Sequence, residues 1–140
     1  MTIPILINSL VFIFLALLHL YWVVGGRRWR NISIPVNRKG RKAFHPGRGG
    51  TLVIATGLLL FALITIGNSG VFNESVDIKI FYYGNWIIGI IFLLRAIGDF
   101  KYFGFAKRIR HTDFAFYDST LFSPLALAIA VTCFTIAYWS

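Results

Sequence analysis

Four stretches of this 140-residue chain run without Asp, Glu, Lys or Arg: Met1 to Gly26, Gly49 to Asn73, Ile80 to Leu94, and Ser119 to Ser140. A hydrocarbon core of about 30 Å takes about 20 apolar residues to cross as a helix. Three stretches reach that length. The third does so if Arg95, with or without Asp99, lies inside the membrane. Runs such as Leu58-Leu59-Leu60-Phe61-Ala62-Leu63-Ile64 lack the alternation of a barrel strand, so helices are the spanning form the pattern predicts. The expectation is an all-α fold, an integral membrane four-helix antiparallel bundle with both termini on the outer side. It forms a single transmembrane domain over 1–140, with helices at about 4–24, 51–66, 80–98 and 121–139.

Composition narrows the class further. Hydrophobic residues make up 57% and charged residues 14% of the chain, against roughly 25% charged in a soluble domain. A disordered chain, a disulfide-stapled module and an enzyme with a large soluble catalytic domain are excluded. The single cysteine, Cys133, can form no intramolecular disulfide and no CxxC pair, and reads as a small packing or lipid-facing residue. The first helix lacks a preceding basic segment, is long, and is followed by Arg27, Arg28 and Arg30, so it is expected to be retained rather than cleaved.

Charge sets the expected orientation. The loop from Arg27 to Arg48 holds eight Lys or Arg and no acid, the region from Arg95 to Asp118 holds five basic and three acidic residues, and the loop from Asn68 to Lys79 carries Glu74, Asp77 and one Lys. The positive-inside rule places the two basic loops in the cytoplasm. Tyr138 and Trp139, with Tyr82, Tyr83 and Trp86, suit the outer interface. The expected location is a bacterial cytoplasmic (inner) membrane, multi-pass. The net charge of +9 then faces membrane lipids, expected to be anionic, rather than nucleic acid. A homo-oligomer or an accessory partner stays open.

The polar residues that could carry chemistry lie toward one side. His19, Tyr21 and Trp22 fall near the inner end of the first helix, and Arg95 and Asp99 stand four apart on one face of the third. A charge at membrane depth needs a partner, so Arg95 is expected to turn inward to an acid, Asp99 first and Asp118 second. Gly49-Gly50-Thr51 is read as the start of the second helix, and Ser123-Pro124 as the start of the fourth, with Asp118 or Ser119 as an alternative cap. Two such helix N-termini with Arg48 and Arg95 would make a pocket for a phosphate or carboxylate. The aromatic and basic segment from Phe100 to Asp118 is expected to lie along the interface as an amphipathic stretch. Small residues, Gly57, Gly84, Gly89, Gly98, Ala126 and Ala130, are expected where helices approach. His45 and His111 are far from His19 along the chain, so no metal and no cofactor is expected.

Three elements, His19-Leu20-Tyr21-Trp22 with Gly25-Gly26, the run from Arg95 to Tyr102 with Gly104-Phe105 and Lys107-Arg108, and Phe114-Ala115 with Asp118 and Ser123-Pro124-Leu125, resemble the bacterial membrane proteins of domain-of-unknown-function family 3995. The resemblance covers nearly the whole chain. It implies a small four-helix membrane protein and no particular activity, and its motif positions coincide with the inner cluster of His19, Tyr21, Trp22, Arg95, Asp99 and Asp118.

Three functional readings follow. The first is a binding protein whose polar inner-leaflet pocket, formed by His19, Tyr21, Trp22, Arg48, Arg95, Asp99 and Asp118, accepts an anionic lipid or small amphiphile. The second is a membrane-embedded enzyme acting on a lipid-like substrate, with His19 as acid or base, although no nucleophile elbow, metal set or nucleotide fingerprint is present. The third is a structural accessory subunit in which the polar residues only fix helix packing.

Overall fold

The computed structural model of the chain describes residues 2–72 and 76–140, so Glu74 of the second loop lies outside the described residues. Four long helices dominate: α1 (Thr2–Val23), α2 (Arg48–Gly67), α3 (Ile78–Ile97) and a last one that begins as a short α4 (Asp113–Tyr117), widens into a π turn (Asp118–Phe122) and continues as α5 (Ser123–Trp139). All four are long and apolar enough to cross a membrane, and the chain is a multi-pass membrane protein. Among the described residues there is no β-strand, only an isolated bridge between Val36 and Lys42 in the first loop.

Side-chain contacts fix the antiparallel order. The end of α1 meets the start of α2, with His19 and Trp22 beside Thr51 and Ile54, while Phe12 meets Phe61 nearer mid-helix. The end of α2 meets the start of α3, where Thr65 donates to Asn85 and Asn68 donates to the Phe81 carbonyl. Trp86 packs on Phe134, and Arg95 reaches Asp118 at the opposite end of the α3–α5 pair. α1 lies along α2 and α3 along α5, whereas α1 and α5 touch much less. The bundle is thus two helix pairs with a looser seam between α1 and α5.

Packing across the bundle uses small side chains, because lipid supplies no hydrophobic drive between helices and close backbone approach must come from dispersion and hydrogen bonds. Ala16, Ala55, Ala62, Ala126, Ala130 and Ala137 are buried, while Leu6, Leu10, Phe14, Leu17, Leu60 and Leu94 point outward. Three rings, Phe12, Phe61 and Phe92, with centroids 5.5 to 6.2 Å apart, fill the middle. Cys133 is fully buried and accepts a hydrogen bond from Asn8 Nδ2 at 3.1 Å. Gly89 admits the Phe134 ring, and a Cβ there would stand 2.5 Å from it. Gly57 differs from expectation: nothing lies within 4 Å of its Cβ position, so it does not mediate an approach.

The start of the last helix departs most from the sequence expectation. Ser123 is not its cap. The cap is Thr112, whose Oγ1 accepts from the Ala115 amide at 3.1 Å, and helical structure runs on from Asp113. Pro124 then falls inside a continuous helix, where it has no N–H for the Thr120 carbonyl and its ring would press on that group. The π turn resolves this: the Ser123 amide donates to the Asp118 carbonyl, five residues back, and the widened turn makes room. Likewise α2 starts three residues earlier than expected, at Arg48, with Gly47 as a cap that offers no side-chain bond.

The segment between α3 and α4 is a folded loop. It is closed by backbone bonds from Phe105 to Ala96 and from Ala106 to Ile97, which lay Gly104 against Gly98. Gly98 has φ +99, and a Cβ there would sit 1.9 Å from the Phe103 carbonyl oxygen. We expect Gly98→Ala to lower the melting temperature in detergent markedly, through backbone strain of about 1–3 kcal/mol plus the clash. Gly57→Ala, with open space around it, should leave the melting temperature unchanged or slightly raised. Equal effects from the two would contradict this packing.

Candidate functional site

The loop after α3 and the π turn meet around one carboxylate. Asp118 has no exposed surface. Its Oδ1 accepts from Arg95 Nη2 at 2.7 Å, and its Oδ2 accepts from the Gly104 amide at 2.8 Å, Lys107 Nζ at 3.1 Å and Ser123 Oγ at 3.1 Å. Each donor comes from a different piece of chain, namely the last turn of α3, the glycine that packs on Gly98, the loop beyond it and the residue closing the π turn. Burying a carboxylate alone is prohibitive, but four donors, two of them cationic, satisfy it.

This corrects the expected pairing. Arg95 does not bridge to Asp99, although the two are four apart, because α3 ends at Ile97 and the chain turns away. Asp99 is instead exposed and caps the loop: its Oδ1 accepts from the amides of Lys101, Tyr102 and Phe103 at 2.7 to 3.2 Å. Partial burial pushes the Asp99 carboxyl up, and these amide donors pull it down by more, so it is held below its ordinary 3.8.

Lys107 was expected on the interfacial surface and is buried instead. Its ammonium donates to the Gly104 carbonyl at 3.1 Å, to Asp118 and to Ser119 Oγ at 2.5 Å. All three protons are thereby committed, so Lys107 is a fixed cation and not a base that could activate the Ser119 hydroxyl. Sequence reasoning missed Lys107, Ser123 and Gly104 as partners. One signal was present in the chain: two cations in or near the third span compete for Asp118 once Asp99 is spent on its own loop.

Arg95 is the member of this cluster that faces outward from it. One guanidinium nitrogen is bound to Asp118, the guanidinium carbon lies 4.7 Å from the centre of the Phe103 ring, and Nη1 is buried with no hydrogen-bond partner. Arg95 lines a cavity of about 240 Å³ in the seam between α1 and α5. His19 and Trp22 line it with Arg95, and Leu15, Phe92, Phe122 and Ile129 form apolar wall. His19 Nδ1 lies 2.7 Å from the Leu15 carbonyl, so in the neutral ring that nitrogen carries the proton and Nε2 keeps a free lone pair. The rings of His19 and Trp22 stack edge to face at 4.9 Å, and Trp22 Nε1 donates to the Arg28 carbonyl at 2.8 Å, which ties the end of α1 to the first loop.

The other expected residues lie elsewhere. Tyr21 points away and covers Gly26, where a Cβ would stand 2.3 Å from its ring. Arg48 is exposed at the first position of α2 and does not border the cavity. The free N-terminus expected at Ser123 does not exist, since the helix continues back to Asp113. Of the seven residues in the expected pocket, His19, Trp22 and Arg95 line one cavity, Asp118 stands behind Arg95, and Tyr21, Arg48 and Asp99 are apart from it. Among the described residues no group of three or more His, Cys, Asp or Glu could hold a metal.

The family described as protein of unknown function (DUF3995) matches residues 12–133, and the chain belongs to it. No curated protein and no solved structure matches the chain. The matched span contains His19, Trp22, Arg95, Lys107, Asp118 and Ser123.

Asp118→Asn leaves Arg95 and Lys107 without a countercharge and should cost about 3–5 kcal/mol of stability in a detergent melt. Asp99→Ala added to Arg95→Ala should recover none of the Arg95→Ala loss, because the two side chains do not pair. The Asp99 contribution is present above pH 3.8 and lost as pH falls through its lowered value. Hydrogen exchange corrected for intrinsic rate should accordingly show the amides of Lys101, Tyr102 and Phe103 losing protection as pH falls below 3.8.

Proposed function

We propose that this member of the DUF3995 family sits in a bacterial cytoplasmic membrane with its basic loops inward and both termini outward, and binds an anionic amphiphile in the Arg95 cavity. The observation that carries the reading is the state of Arg95. Two buried or half-buried cations, Arg95 and Lys107, share the single carboxylate of Asp118, so the cluster holds an uncompensated positive charge, and Arg95, which lines the cavity, keeps its Nη1 buried and without a hydrogen-bond partner. An oxyanion there would supply both the missing charge and the missing acceptor.

The cavity also limits the ligand. At about 240 Å³ it is smaller than an ordinary small-molecule site and takes a headgroup or a stretch of chain, not a whole lipid. A neutral His19 presents Nε2 as an acceptor, so the fitting head carries a hydroxyl beside its oxyanion, as a phosphate monoester does. The apolar wall of α5 receives the adjoining carbons, and the seam between α1 and α5 lets the tail remain among lipids. Binding without transport is favoured because the three rings of Phe12, Phe61 and Phe92, packed edge-on and tilted, stand between this cavity and the opposite end of the bundle.

Dodecyl phosphate added to protein in dodecyl maltoside tests the reading. Wild type should melt several degrees higher in its presence, with the rise lost in Arg95→Gln. Ala126→Leu narrows the cavity from a wall residue that belongs to neither ion pair, and should lose the rise too. A full response in Ala126→Leu would overturn the site.

A further inference from the structure

A second concave surface lies outside the Arg95 cavity. The first loop and the loop after α3, about sixty residues apart in sequence, together enclose a groove of about 870 Å³ lined by Arg38, Lys39 and Arg41 on one side and Lys101, Arg108 and Tyr102 on the other. Asp99 is the one carboxylate on its wall. That group spends its Oδ1 on three backbone amides of its own loop and forms no ion pair. Among the described residues the ion pairs are the two made by Asp118, so all five basic side chains of the groove lack a carboxylate partner. Setting the topology of a membrane chain needs positive charge in a loop, but it does not need charges from two separate loops to converge on one concavity.

Both walls are held in shape. On the first, Asn37 Oδ1 accepts from the amides of Lys39 and Arg41, and the Asn37 amide donates to the Arg41 carbonyl at 2.8 Å, which presents Arg38, Lys39 and Arg41 on one tight turn. On the second, the amides of Arg108 and Ile109 both donate to the Lys101 carbonyl at 3.2 and 3.0 Å, which sets Arg108 beside Lys101. Repulsion among five like charges is therefore borne by a fixed backbone, and a polyanion relieves it without reordering either loop. Phe100, exposed at the rim, offers an apolar ring to the headgroup boundary.

We infer that this groove binds a ligand bearing two phosphates. Three arginines can each meet a phosphate in the forked two-bond geometry, and the two lysines add point charge. A single phosphate would leave most of the five cations unmatched, and the groove volume lies in the range of complete ligand sites. The diphosphate can belong to a lipid with two phosphates in its headgroup or to a soluble pyrophosphate compound.

The test uses the full chain in nanodiscs of phosphatidylcholine. One arm adds inorganic pyrophosphate, with inorganic phosphate as the comparison, and reads binding by calorimetry. The other arm includes diphosphatidylglycerol, with phosphatidylglycerol at matched total charge, and reads retained lipid by native mass spectrometry. The triple variant Arg38→Gln, Arg41→Gln, Arg108→Gln removes three exposed groove charges. The control variant Arg27→Gln, Arg28→Gln, Arg110→Gln removes three charges that do not line the groove. The expected result is a preference for the diphosphate ligand in at least one arm, reduced at least tenfold in the groove variant and less than twofold in the control. A response in the lipid arm alone identifies a lipid headgroup, and one in the soluble arm a free diphosphate. Equal losses in the two variants, equal affinity for one and two phosphates, or no binding in either arm would overturn the inference.

Discussion

The carboxylate of Asp118 is the point on which one end of this molecule is assembled. It lies buried at the start of the π turn and gathers donors from α3, from the loop beyond it and from the first residue of α5. A charge in that position is tolerable only while its donors stay in place, so each of them is constrained in turn. Gly104 must lie against Gly98, Lys107 must fold inward, and the helix must widen before Pro124 to bring Ser123 within reach. The geometry of the loop, the passage of the last helix through a proline and the placement of Arg95 are consequences of satisfying one ion.

That constraint also makes the functional argument. A carboxylate matched by one cation would be a structural pair and nothing more. Here two cations compete for it, and the one that is half exposed retains a buried N–H group with no acceptor. Arg95 lines a cavity together with His19, which is oriented by the backbone of its own helix. The chemistry we propose for the site is recognition of an oxyanion. Lys107, with all three protons committed, is a holder of geometry rather than a participant in proton transfer.

The four helices were legible in the sequence because the absence of charge over about 20 residues has one physical solution in a bilayer. Their ends were less so. The start of the last helix was misplaced at Ser123-Pro124 because serine followed by proline is the ordinary signature of a helix start, and a π turn that absorbs an internal proline leaves no mark in the local pattern. The pairing of Arg95 was misjudged for a similar reason. A spacing of four implies contact only if the helix continues, and α3 ends between the two residues. Tyr21 and Trp22 illustrate the limit of proximity along the chain: adjacent on α1, they face about 100° apart, and only Trp22 reaches the cavity. The burial of Lys107 depended on the loop closing on Gly98 and Gly104, a tertiary contact that no periodicity encodes.

Native mass spectrometry of gently purified wild type beside Ala126→Leu tests the central claim most directly, since the substitution narrows the cavity at a residue that makes none of the Asp118 hydrogen bonds. The account predicts a defined anionic amphiphile retained by wild type and absent from the variant. The same mass on both proteins, or a bare chain in each, would contradict a ligand held by Arg95.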